Sequence, residues 1–88
     1  MSSMVYVKVH QEKIDLLSKI IEAYGHLGIV STIDAKAGLV VVRGTPDTKA
    51  QVLNILPNLP FSLQVISEED AAAMQNMPAN KDYESSNL

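Results

Sequence analysis

The sequence has no cysteine, no tryptophan and one phenylalanine, and none of its apolar runs is long. Without cysteine there is no disulfide framework, no thiolate metal site and no cysteine nucleophile, a composition that suits a reducing, cytoplasmic setting. Without a long apolar run, no membrane span is expected. Positive charge is scarce as well. Seven Lys and Arg residues stand against ten Asp and Glu, for a net charge of −3, and they are scattered along the chain. That leaves no electrostatic footprint for a nucleic-acid backbone or an anionic membrane surface. The opening Met1-Ser2-Ser3-Met4 leads into alternating residues rather than a basic stretch followed by an apolar run, so no secretion signal is expected. What is present is an ordinary globular mixture, 47% hydrophobic and 19% charged over 88 residues. This suffices for one core and not for two.

Valines 5, 7 and 9 alternate with Tyr6 and Lys8, the period of a strand with one buried face. Ile14, Leu17, Ile20, Ile21 and Tyr24 then recur every three or four residues, predicting a helix that ends near Gly25. The β-branched runs Ile29 to Asp34 and Leu39 to Val42, joined by Ala35-Lys36-Ala37-Gly38, predict a hairpin. Thr45-Pro46-Asp47 supplies a capping hydroxyl, a proline suited to the first helical position and an acid near the positive end of the dipole. A second helix is therefore expected from Pro46, with Ala50, Val52, Leu53 and Leu56 as its apolar side, stopped by Pro57 and Pro60. Phe61, Leu63 and Val65 alternate as a fourth strand.

The order βαββαβ in so short a chain predicts an α+β fold, a ferredoxin-like two-layer sandwich with an antiparallel sheet of order 4-1-3-2 and both helices on one face. Its expected extent is residues 4–66. Ser67, followed by Glu68, Glu69 and Asp70, resembles a helix start, so residues 67–77 are expected to form a short C-terminal helix. Residues 78–88 are polar and without period, and read as a flexible tail.

The segment Ile20-Ile21-Glu22-Ala23-Tyr24-Gly25-His26-Leu27-Gly28-Ile29-Val30-Ser31-Thr32-Ile33-Asp34, followed by Gly38-Leu39-Val40-Val41, resembles a family of small bacterial domains of unknown function, over roughly residues 4–66. The resemblance implies a bacterial cytoplasmic protein and brings no activity with it. More loosely, the element order is similar to ACT-like regulatory domains, which pair their chains and bind small ligands between them. Those domains typically carry a glycine in the first strand-to-helix loop, where Val9-His10-Gln11-Glu12 has none.

Other users of this architecture need residues that are missing here. A copper chaperone needs thiolates. An RNA-recognition motif needs aromatics on the central strands, where Leu39-Val40-Val41-Val42 stands and only Tyr6 is available. A phosphatase of the acylphosphatase type needs an arginine in the first loop, and the sole arginine is Arg43. His10 and His26 fall at opposite ends of the first helix, about 20 Å apart, too far to share a metal. Gly44-Thr45-Pro46-Asp47 precedes a helix, but Pro46 removes a donor and Asp47 repels an anion, so it reads as a cap. No nucleophile, base and orienting group can be assembled, so no enzyme, cofactor or metal site is expected.

Strand three is apolar on both sides, which predicts cover on both faces of the sheet. The leading expectation is a non-catalytic interaction or regulatory module that self-associates, as a dimer in the first instance, with Tyr6, Val40 and Val42 as interface candidates. An unknown protein partner, or the segment after Ser67 folding back, would serve the same need. The alternative is a domain sensing an amino acid, nucleotide or metal, with Lys8, His10 and Asp34 as ligand contacts.

Overall fold

The computed structural model describes residues 3–76. Its elements are β1 (Met4–Val9), α1 (Ile14–Ala23), β2 (Ile29–Asp34), β3 (Leu39–Arg43), α2 (Pro46–Ile55), β4 (Leu63–Ile66) and α3 (Glu68–Asn76). A 3-10 turn, Gln11–Lys13, leads into α1, and another, Leu56–Asn58, follows α2. All strand pairs are antiparallel and lie in the order β2-β3-β1-β4, the expected 4-1-3-2 order counted from the other edge. The expected tail, residues 78–88, lies outside the described residues.

Register fixes the faces. Val5 pairs with Val42 and Val7 with Val40, so these four share one side of the sheet. With Val9, Leu17 and Ile21 of α1, and Val52 and Leu56 from α2 and the turn after it, they form one continuous core. Both helices therefore cover one face, as a ferredoxin-like sandwich requires. Tyr6 pairs with Val41 and Lys8 with Leu39, which puts these four on the opposite face. The interface assignment of Val40 and Val42 is corrected accordingly. They are buried in the chain's own core, at 0% and 1% exposure, and the β3 residues that share a face with Tyr6 are Leu39 and Val41.

Leu39 and Val41 are buried too, although they stand outside the core beneath α1 and α2. The neighbouring strand β1 is packed against by α3, and Ala71 of α3 is fully buried and likewise outside the main core. Ser67 caps this helix, its Oγ accepting the Asp70 N–H at 3.0 Å, and the acids of its first turn favour the positive end of its dipole.

Local chemistry sets the element ends. Thr45 and Thr48 form a reciprocal capping box: the Thr45 N–H donates to Thr48 Oγ at 2.8 Å and the Thr48 N–H donates to Thr45 Oγ at 3.3 Å. The core side of α2 differs from the expected one. Ala50 and Leu53 are exposed, whereas Val52, Ile55, Leu56 and Leu59, a cleaner three-and-four spacing, meet the core. Tyr24, expected on the core stripe of the first helix, is the C-cap of α1 and is exposed, because the chain turns away through Gly25 at φ +81°. β4 begins at Leu63 rather than Phe61, since Leu63 already pairs with Val9, the last residue of β1. Phe61 instead packs half-buried against the core from the preceding loop.

Candidate functional site

In an antiparallel sheet of this order, the end of β1, the start of β3 and the start of β4 must meet at one rim. There they enclose an open cleft of about 570 Å³ lined by Lys8, Val9 and His10 of β1 and its exit, Gln11, Lys36 and Ala37 of the hairpin turn, and Ser62 to Gln64 entering β4. Its size is within the range of small-ligand sites. The wall between β1 and the hairpin is fixed at Gly38. The Val9 N–H donates to the Gly38 carbonyl at 2.8 Å, Gly38 sits at φ +71°, and a Cβ there would collide with the Val9 carbonyl. Only glycine allows so close a crossing without displacing the turn.

Two of the three expected ligand contacts, Lys8 and His10, line this cleft. Asp34 does not. Its Oδ1 accepts the Ala37 N–H at 3.2 Å, so its carboxylate shapes the hairpin that presents Lys36. Lys36, Gln11, Ser62 and Gln64 are lining residues that sequence reasoning left out. The strand order carried the signal, because it brings the hairpin turn and the start of strand four beside the end of strand one.

The electrostatics of the rim are one-sided. Among the described residues, the cleft lining contains two lysines and a histidine and no Asp or Glu, in a chain of net charge −3. Neither lysine is ion-paired with a described residue. His10 Nδ1 is 3.9 Å from Glu12 Oε2, with both side chains largely in solvent, so the pair is weak. Glu12 lines an adjoining hollow that shares His10 and Gln11 with the cleft. The arrangement can hold a polar or charged molecule and orient it. Nothing in it divides acid from base.

The remaining candidates are local devices. His26 sits between the end of α1 and α2, its Nδ1 2.9 Å from the Tyr24 carbonyl and its Nε2 3.1 Å from the Gln51 side-chain amide. It is a strut between helices. The Thr45 amide is committed to the capping box. Among the described residues no group of three or more His, Asp or Glu side chains is placed to hold a metal ion, and no helix is long and apolar enough to cross a membrane.

Residues 7–62, well over half of the chain, match a family described as a domain of unknown function, DUF4911, and the chain belongs to that family. The matched span runs from within β1 to the edge of β4 and contains most of the cleft lining. No curated protein and no solved structure shows a significant match.

Proposed function

We propose that this DUF4911 domain is a non-catalytic binding module that takes a small ligand in the rim cleft and serves a regulatory role through it, in a cytoplasmic setting. The observation that supports the reading is convergence: side chains from β1, the β2–β3 turn and the start of β4 surround one cleft, two of them unpaired lysines. A ligand seated there would touch three chain segments at once and tie them together. The test is a thermal-shift screen with amino acids, nucleotides and divalent metals, followed by mapping of amide resonances. A ligand that binds the folded state raises Tm and should move the resonances of residues 8–11, 36–37 and 62–64 together. A panel that leaves both Tm and these resonances unchanged overturns the reading.

A second reading is self-association through the sheet, for which an edge strand is the feature that speaks most directly. β2 is an outer strand of six residues, and Ile29 on it is 67% exposed, which makes it a ready template for pairing with a second copy. Light scattering over a concentration series should then show a dimer that Ile29→Lys disperses. A monomer at every concentration removes this reading and leaves the cleft untouched.

A further inference from the structure

The charge pattern of the cleft specifies the chemistry of its occupant. We propose that the rim cleft binds a phosphate-bearing small molecule, its anionic group held by Lys8 and Lys36 and its body resting on the half-buried Leu63 and the polar side chains entering β4. This rests on the reading of the cleft as a ligand site and goes beyond it by naming the ligand class.

Four observations carry the assignment. First, Lys8 and Lys36 come from different segments, a strand and a hairpin turn, and both line the same cleft. Two ammonium groups lining one cleft give it a positive potential that attracts an anion. Second, neither ammonium has an ion-pair partner among the described residues, and the acids nearest in sequence are turned to other work. Asp34 closes the hairpin turn, and Glu12 stands beside His10 at the neighbouring hollow. Third, the lining holds no arginine. The positive charge is therefore supplied by ammonium groups, compact point charges with freely rotating donors that can approach a tetrahedral oxyanion from two sides. Fourth, the cleft is larger than a bare phosphate needs. Its volume of about 570 Å³ leaves room for a covalently attached body. The half-buried Leu63 offers that body apolar surface, with the Gln64 amide and the Ser62 hydroxyl as polar contacts.

Gly38 makes the placement of the hairpin turn a property of the fold. The close crossing of Val9 and Gly38 fixes the hairpin turn against the end of β1, so the backbone that carries Lys36 is placed at the cleft before any ligand arrives.

The test uses the full chain and four probes at low salt: inorganic phosphate, pyrophosphate, adenosine 5′-monophosphate and adenosine, with citrate as a carboxylate control. Binding is read from amide resonances of residues 8–11, 36–37 and 62–64. The expected result is that the phosphate compounds move these resonances and adenosine does so at least about tenfold more weakly, as befits loss of a charge-assisted contact. Lys8→Met and Lys36→Met, which keep the apolar stems at exposed positions, should each weaken pyrophosphate binding about tenfold while leaving Tm of the free protein in place. Raising the salt from about 0.02 M to about 0.5 M should weaken it further by screening. The assignment is overturned if adenosine or citrate binds as tightly as its phosphate counterpart, if the double variant K8M/K36M binds pyrophosphate as the wild type does, or if none of the phosphate probes perturbs the cleft. In the last case, a hit from the wider ligand screen at the same resonances leaves the cleft standing as a binding site with a different ligand class. No hit at all removes both readings.

Discussion

The two faces of the sheet are buried in different ways. Under α1 and α2, valines from β1 and β3 meet Leu17, Ile21, Leu27, Val52 and Leu56 in a single cluster. On the other side, Leu39 and Val41 are buried outside that cluster, and the described helix on this side, α3, packs on the neighbouring β1 with its described side chains exposed apart from Ala71 and a half-buried Met74. Each face excludes water from its β3 residues equally well, so exposure alone does not separate them. Depth does. A side chain in the first cluster has packed neighbours behind its neighbours, whereas the second face has α3 on β1 and then solvent. The lesson is that a strand apolar on both sides needs two covers and that the covers can differ greatly in strength.

That contrast can be broken by four substitutions, in decreasing order of effect. Leu17→Ala removes a fully buried side chain from the centre of the thick layer and should cost about 3 kcal/mol in urea unfolding. Val40→Ala and Val41→Ala change adjacent residues of identical type on opposite faces, so they compare the covers directly. We expect about 2 kcal/mol for Val40 and about 1 kcal/mol for Val41, which stands outside the main core. Equal costs would mean that the second face is packed as firmly as the first. Ser67→Ala deletes the cap of α3 and should cost about 0.5–1 kcal/mol. Its effect should be confined to α3 and seen as faster amide exchange in residues 71–75, with exchange in α1 unchanged.

The same contrast explains what could be read in the sequence. Elements with a phase or a stop signal were legible. The alternation of Val5, Val7 and Val9 gave β1 its buried face, Thr45-Pro46 marked the start of α2 and Ser67 the start of α3. Leu39-Val40-Val41-Val42 carries no phase, because a run of apolar residues is the same whichever face is counted first. Only the pairing of Val40 with Val7 and of Val41 with Tyr6 decides it. The helix after Pro46 shows a milder form of that ambiguity, since Leu53 is apolar yet exposed while Val52 and Leu56 define the core side.

The candidate site was half legible. Lys8 and His10 stand near the end of β1, where the architecture opens. Lys36 stayed hidden because a lysine in a hairpin turn is commonplace, and its neighbour in space is set by pairing partners distant in sequence. Asp34 was given a ligand role for the opposite reason. A carboxylate in a loop has the same appearance in sequence whether it meets a ligand or shapes the turn, and the hydrogen bond from the Ala37 amide shows that it does the second.

The placement of β1 between β3 and β4 has a consequence for how the chain is made. The first of the four strands in chain order is an inner strand of the sheet, and its Tyr6 waits for Ile66. Until β4 follows, one margin of β1 stays open, and α3 has yet to pack on it. At about 5–20 residues per second, that interval lasts seconds, long enough for a nascent-chain chaperone to hold the β1–β3 pair. β4 and α3, late in chain order, are therefore the elements that close the sheet on that side of β1.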